Sequence, residues 1–197
     1  MNAPETDELD VQDMRRLSEG HPSALNELMA RHAEKLFHYL VRSLQDEDDA
    51  ADLAQETFVR VFQNRARFDV GQKFTTWLYT IASNLVKDRY RWRRRHPQVS
   101  LDAEIDASGA SYREALPEHR PTPADQVTAR ERAEAVRRAI AELPAELRQP
   151  LILAEYEERS HAEISVILGC TPKAVETRVY RARRQLRTAL KGVMSSA

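Results

Sequence analysis

A single cysteine, Cys170, stands among 197 residues, so no disulfide can form within the chain. Glycine is scarce, with five in all, and no glycine-rich phosphate loop is present. No apolar run is long enough to cross a bilayer and no signal peptide opens the chain. The expectation is a soluble, intracellular, cytoplasmic protein with no membrane insertion. No alternating apolar–polar pattern persists, which argues against strands. No nucleophile is paired with a base, and the six histidines are scattered. The expected protein is therefore not an enzyme, with no catalytic residues, no metal and no cofactor. His161 reads as a surface residue, and Cys170 as a packed or turn thiol rather than a redox sensor.

Charge is abundant, and it is segregated. The formal net charge is only -1, yet the first 56 residues are strongly acidic while two later helices are strongly basic. Such asymmetry suggests two kinds of partner, nucleic acid at the basic helices and a basic protein surface at the front. Solubility alone is the plainer explanation of the acidic part.

The periodicity is helical almost throughout. A first helix is predicted over 10–19. After His21-Pro22, Ser23 can cap a long helix with Leu25, Leu28, Met29, Leu36, Phe37, Leu40 and Leu44 on its apolar stripe. A third helix starts near Asp46 and turns Ala50, Leu53, Ala54, Thr57, Val61 and Phe62 inward. A loop over 66–74 leads to a fourth helix over 75–95, whose inward set is Leu78, Ile81, Ala82 and Leu85. From 97 to 123 the pattern disappears among prolines and acids, which reads as a linker. Helices resume over 125–142, and Pro144 opens another. The fold class is all-α: two small helical domains joined by a flexible linker, with boundaries at 1–96, 97–123 and 124–192, and no further C-terminal domain.

The segment from Ser160 to Leu190 reads as a helix-turn-helix. Ser160 can cap the first helix, with Glu163 placed for a capping box. Gly169 can end that helix in the left-handed region. Thr171 can cap the second, with Pro172 at its first position. Val175, Val179, Ala182, Leu186, Ala189 and Leu190 share one face of this second helix. Lys173, Thr177, Arg181, Arg184 and Thr188 share the opposite one, flanked by Arg178, Arg183 and Arg187. Glu176 is the only acid among seven basic residues from Lys173 to Lys191. A solvated face normally mixes its signs, so the stripe points to DNA.

Two other constellations stand out. The fourth helix ends with Lys87, Arg89, Arg91, Arg93, Arg94 and Arg95 against one acid, Asp88, with Tyr90 and Trp92 interleaved. Basic groups neutralise phosphates, and aromatic faces stack on unpaired bases. Thr76, Thr80, Ser83 and Lys87 are expected on its exposed face, with Asn84 at the border. Core burial is the alternative for Trp77, Tyr79 and Trp92. At the start of the third helix, Asp49, Asp52, Gln55 and Glu56 lie on or near one outward face. Clustered carboxylates can hold a divalent metal, but no histidine lies nearby and the spacing matches no calcium loop; stabilisation of the helix dipole and docking of a basic partner both remain open for this group.

Together these segments resemble an extracytoplasmic-function (group 4) sigma factor of bacterial RNA polymerase. DDAADLAQETFVRVFQ resembles the part of the σ2 domain that docks on the clamp helices of the polymerase β′ subunit. FTTWLYTIASNLVKDRYRWRRR resembles the helix that recognises and helps open the −10 promoter element. ELPAELRQPLILAEYEERSHAEISVILGCTPKAVETRVYRARRQLRTAL resembles the σ4 domain that reads the −35 element. The resemblance implies a promoter-specificity subunit whose partners are core RNA polymerase, through the β′ clamp helices and the β flap, and promoter DNA. An anti-sigma factor is a further candidate partner. It implies polymerase docking for Asp49, Asp52, Gln55 and Glu56. It implies −10 contacts for Arg67, Phe68, Lys73, Phe74, Thr76, Thr80, Ser83, Asn84, Lys87 and Arg91, and −35 contacts for Thr171, Lys173, Thr177, Arg178, Arg181 and Arg184. Two rivals are a stand-alone helix-turn-helix regulator, which leaves the fourth helix without a role, and a metal-dependent nuclease using the acids between 46 and 52.

Overall fold

Asp46, Ser160 and Thr171 each start a helix by accepting a backbone amide on the side chain. The computed structural model describes residues 3–96 and 123–191, with side chains at 6–96 and 130–191. The front block holds α1 (Ala3–Ser18), α2 (Ser23–Leu44), α3 (Glu47–Gln63), a 3-10 turn (Arg65–Arg67) and α4 (Phe74–Arg95). The rear block holds α5 (Pro123–Glu142), α6 (Ala145–Glu155), α7 (His161–Leu168) and α8 (Pro172–Ala189). No strand occurs among the described residues. Except for Pro123, the stretch expected to be a linker lies outside them.

Several expected ends shift. α1 begins at Ala3, a full two turns before Asp10. Ser23 does not cap α2 with its side chain; it is the first helical residue. The amides of Ala24 and Leu25 instead donate to the carbonyls of His21 and Pro22. Asp46 does cap α3, accepting from the Asp49 amide at 2.9 Å. Glu47, Asp48 and Asp49 in the first turn suit the positive end of the helix dipole.

The front core gathers Met14, Leu17, Leu28, Leu36, Tyr39, Leu40, Phe58, Val61, Phe74 and Leu78, all nearly inaccessible to solvent. A charged cluster fixes α1 to α2. Asp10, fully buried, accepts from Arg31 at 2.9 Å and contacts the His32 ring at 2.8 Å, while Arg31 also donates to Asp13 at 2.6 Å. On α3 the inward aromatic is Phe58, not Phe62 as the periodicity suggested. Phe62, four residues on and about 40° further round the helix, is 36% exposed, under the Arg65 guanidinium at 4.4 Å.

The rear block does not stand apart. α7 packs against α4, and α6 against α2. Ile152, Leu153, Ile164, Ile167, Leu168, Val175 and Val179 join the same buried cluster as the front core. A second, smaller cluster of Ile140, Leu143, Leu147, Leu151 and Ala182 lies within the rear block. Sequence periodicity marks which face of each helix is apolar, but not that two blocks share one core.

Candidate nucleic-acid interface and partner surface

The helix-turn-helix forms as its caps require. The Ser160 hydroxyl accepts from the Glu163 amide at 3.2 Å, and the Glu163 carboxylate accepts from the Ser160 amide at 2.9 Å. Burial of Glu163 works against its charge. The Ser160 amide and hydroxyl and the Lys73 ammonium outweigh that and hold its carboxyl below the ordinary range. Gly169 ends α7 at φ 66°, a left-handed conformation that costs a residue with a side chain more. The Thr171 hydroxyl then accepts from the Ala174 amide at 3.2 Å to start α8.

α8 buries Val175, Val179 and Ala182 and presents Lys173, Arg181, Arg184 and Thr188 to solvent. Lys173 is paired with Glu176 at 2.8 Å. Thr177 is half-buried, its hydroxyl donating to the Lys173 carbonyl at 2.9 Å. The Thr171 hydroxyl is taken up by the cap, so its contribution to the surface is positional. Arg178 faces sideways into a cleft against α4, beside Lys87 and Arg91, rather than outward with Arg181. Tyr180, overlooked in the sequence, is 66% exposed on the same face as Lys173 and Arg184. Its spacing of seven from Lys173 and four from Arg184 was the available signal.

The face of α4 is less open than its sequence suggested. Thr76 is 7% exposed and Ser83 fully buried, which corrects their expected exposure. The physical reasons are specific. Ser83 shares a 2.8 Å hydrogen bond with the Tyr39 hydroxyl inside the front core, where burial pushes the tyrosine up to about 12. Over the whole helix the buried arc exceeds half the circumference, because α4 is packed by both blocks. Thr80 is half-buried, donating to the Thr76 carbonyl at 2.8 Å. Phe74 is a core residue, packed on His32 at 5.2 Å between ring centres. Phe68 is half-buried, 5.2 Å from the half-buried Trp77 ring. Trp92 is 42% exposed and stacks on His96.

Arg67 and Asn84 are exposed, and Arg91 is exposed beside Asp88 at 3.1 Å. Lys73 is bridged to Glu163 at 3.2 Å and to Asp7 at 3.7 Å. Lys87 donates to the Leu168 carbonyl at 3.0 Å. Burial lowers its ammonium pKa, Cys170 opposes this, and Arg91 and Arg178 reinforce it.

On α3 the acids divide. Asp49 is turned toward α4, where Arg89 and Arg93 both pair with it, and Arg93 also reaches Asp46 at 2.7 Å. Asp52 and Gln55 point outward, and Glu56 lies beside them, paired with Arg60 at 2.8 Å. Val59, 46% exposed, and Phe62 continue this stripe at helical spacing, an apolar extension not anticipated from the sequence. Among the described residues no group of three or more histidine, cysteine or acidic side chains is arranged to hold a metal ion. No helix of the described residues is long and apolar enough to cross a membrane.

Known families match in the same order along the chain. Residues 28–96 match Sigma-70 region 2, and residues 133–186 match Sigma-70 region 4. The ECF RNA polymerase sigma factor SigW of Bacillus subtilis is 32% identical over 90% of this chain and 95% of its own length. The RNA polymerase sigma-H factor of Pseudomonas aeruginosa is 31% identical over 98% of this chain and 99% of its own. Among solved structures, CnrH in complex with the cytosolic domain of CnrY superposes with a TM-score of 0.68 at 26% identity, covering 93% of this chain and 98% of that one. The sigma factor RpoE of Bartonella quintana, in complex with the anti-sigma factor NepR, shares the fold with a TM-score of 0.63 at 23% identity, covering 84% of this chain and 96% of that one. Two regions in family order and relatives matched over nearly their whole length lead to one conclusion: the chain belongs to the extracytoplasmic-function sigma factors of the sigma-70 family, the subunits that direct RNA polymerase in transcription initiation.

Proposed function

We propose that α8 reads the −35 element through Lys173, Tyr180, Arg181 and Arg184, with Arg178 joining from the side and Thr171 and Thr177 setting the helix start. The supporting observation is the exposed, almost purely basic face of α8, which Thr171 caps at its start, opposite a face packed by Val175, Val179 and Ala182. Arginine at such a position can bond guanine bidentately, and tyrosine adds a flat apolar contact.

In the same reading Arg67, Lys73, Asn84, Lys87 and Arg91 hold the non-template strand at −10. Phe68 lines the loop, and Phe74, Thr76, Thr80 and Ser83 shape it from within rather than touch bases. Asp52, Gln55 and Glu56, extended by Val59 and Phe62, dock on the β′ clamp helices, with Asp49 bracing the stripe from behind. Region 4 meets the β flap. The protein works in the cytoplasm and carries out no chemistry itself. An anti-sigma factor is proposed as a further partner, because two structural relatives are complexes, one with the cytosolic domain of CnrY and one with an anti-sigma factor.

The rival readings explain less. A stand-alone regulator has no use for the α3 stripe or the basic end of α4. In a nuclease, Asp46 and Asp49 would need to be free for metal, whereas Arg89 and Arg93 neutralise them. The deciding experiment is transcription with purified core polymerase on a library of promoters. Promoter-dependent transcripts that require this chain support the proposal, and stable promoter binding without core polymerase defeats it.

A further inference from the structure

Three cations converge on one cleft. Lys87 and Arg91 reach it from α4 and Arg178 from α8, and it encloses about 500 Å³. Among the described residues Lys87 hydrogen-bonds only to neutral acceptors, the Leu168 carbonyl at 3.0 Å and the Asn84 side-chain oxygen at 3.5 Å. Arg91 pairs with Asp88 at 3.1 Å, where both side chains are exposed. Arg178 is half-buried and has no hydrogen bond or ion pair among the described residues. The lining carries one carboxylate, Glu146, which is exposed. Burial works against the charge of Lys87, Cys170 favours it, and Arg91 and Arg178 work against it again. Like charges gathered this way repel, and an anion placed between them turns repulsion into attraction.

A second, uncharged group points to the same cleft. Gln149, on α6, is only 5% exposed and lines the cleft. Its amide has no hydrogen-bond partner among the described residues, and neither amide atom is sealed from solvent. The side chain therefore holds one acceptor and one donor group open to the cleft. Pro150 has no N–H, so the Glu146 carbonyl one turn earlier lacks its helical donor as well. A buried amide left unpaired is costly, and an occupant that offers it both a donor and an acceptor relieves that cost.

The rest of the wall narrows the chemistry. Ala145, Pro150 and Leu168 are apolar. Tyr90 has its hydroxyl taken by the Ser43 carbonyl and by Arg148, so it offers the cleft its ring. A bare phosphate would leave most of this volume unfilled. A sugar phosphate would turn several hydroxyls toward an apolar wall, where they lose their partners. A nucleotide suits both ends, with its phosphates at the cations and a flat base along the apolar side. Glutamine pairs with the N6 donor and N7 acceptor of adenine, whereas guanine presents two acceptors at the same edge.

We infer that the cleft between α4, α6 and α8 is a binding site for an adenine nucleotide: Lys87, Arg91 and Arg178 hold its phosphates, and Gln149 reads the base edge. A duplex is too broad to enter this cleft. The site is therefore a use of these cations separate from promoter DNA, and it does not depend on the −10 and −35 assignments.

The full-length chain, alone and without divalent metal, is titrated with ADP by calorimetry at constant ionic strength. Pyrophosphate, adenosine and GDP are the comparison probes. Cys170 is the only cysteine and lines the cleft, so its alkylation by N-ethylmaleimide reports occupancy at that place. The parent should bind ADP more tightly than any of the other three. ADP should slow alkylation of Cys170, with half its effect at the calorimetric Kd. Arg178→Ala should weaken ADP and pyrophosphate alike, by about tenfold. Arg187→Ala removes the same charge from an exposed part of α8 outside the cleft and should weaken neither. Gln149→Leu changes no charge and should weaken ADP by about fivefold while leaving pyrophosphate unchanged. Helix content and melting temperature are matched to the parent before each variant is compared. The parent's ranking of the four probes and the protection of Cys170 test the site without any variant. Absence of ADP binding overturns the site. Binding without protection of Cys170, or equal losses in Arg178→Ala and Arg187→Ala, overturns it in favour of general attraction for anions. ADP bound no more tightly than pyrophosphate or GDP overturns the adenine assignment.

Discussion

Arg93 and Asp49, 44 residues apart in sequence, are joined by a 2.5 Å charged hydrogen bond that ties the end of α4 to the start of α3. Arg89 binds the same carboxylate. One acidic run is thereby split into acids that hold the fold and acids that face outward.

That split yields the first prediction. Asp52→Arg with Glu56→Arg should leave thermal stability close to the parent and abolish co-elution with core polymerase. Asp49→Ala should do the reverse in part. Losing two arginine partners at a site only 14% exposed should cost about 1–2 kcal/mol, discounted for the exposure of Arg93. Core binding by Asp49→Ala, measured well below its lowered melting point, should persist. Unimpaired core binding by the double charge reversal would remove the docking surface.

Phe74 supplies the second. It is fully buried against His32, Phe68 and Trp77. Phe74→Ala should destabilise the chain by about 3–5 kcal/mol, as large-to-small aromatic changes in cores do. Chemical denaturation checks this. A stable Phe74→Ala protein with weakened −10 binding would return Phe74 to the DNA surface.

Local chemistry made much of this fold legible. Ser160 with Glu163, Gly169, and Thr171 before Pro172 each specify a helix end by nearest-neighbour bonding, and each end forms as those residues dictate. Faces were less legible, for two physical reasons. Phe58 and Phe62 are four residues apart and equally apolar, so periodicity alone did not choose which one packs. Ser83 and Thr76 are small polar residues, which read as surface. Yet Ser83 satisfies its hydroxyl on Tyr39 inside the core, and α4 is packed on two sides. Contacts between Lys87 and Leu168, 81 residues apart, leave no local trace in a sequence.

The third prediction concerns α8. Arg181 is exposed and opposite the packed face, so Arg181→Ala should not alter folding. It should reduce discrimination at one −35 base pair by about 1–3 kcal/mol. Competition binding with single-base promoter variants, using the reconstituted holoenzyme, measures this. A uniform loss across all sequences would make Arg181 a phosphate contact instead.

The fourth concerns pH. The carboxyl of Glu163 is held below its ordinary value of 4.5. A depressed carboxylate stabilises the folded state fully above the unfolded value, and that contribution is lost as pH falls through the folded one. The parent should therefore lose part of its stability as pH drops below about 5. Glu163→Gln retains a neutral capping side chain but cannot titrate. Thermal melts from neutral to acid pH should show the two proteins converging as pH falls. A constant gap between them would exclude Glu163 as a source of acid sensitivity.

The last prediction separates opening of DNA from binding to it. Asn84 is exposed, and its side-chain carbonyl lies 3.5 Å from the Lys87 ammonium. Replacing both with alanine removes a polar pair from the outer flank of α4 and spares the buried Leu78, Ala82 and Val86. Core binding and −35 contact should remain. Permanganate reactivity of thymines near the start site should fall, because trapping unstacked bases is what offsets the few kcal/mol of unstacking at each step. A promoter carrying a pre-melted bubble should restore part of the activity, since that cost has been removed in advance. A mere loss of folding would also abolish core binding. Normal opening of a closed duplex by the double variant would exclude this flank of α4 from strand separation.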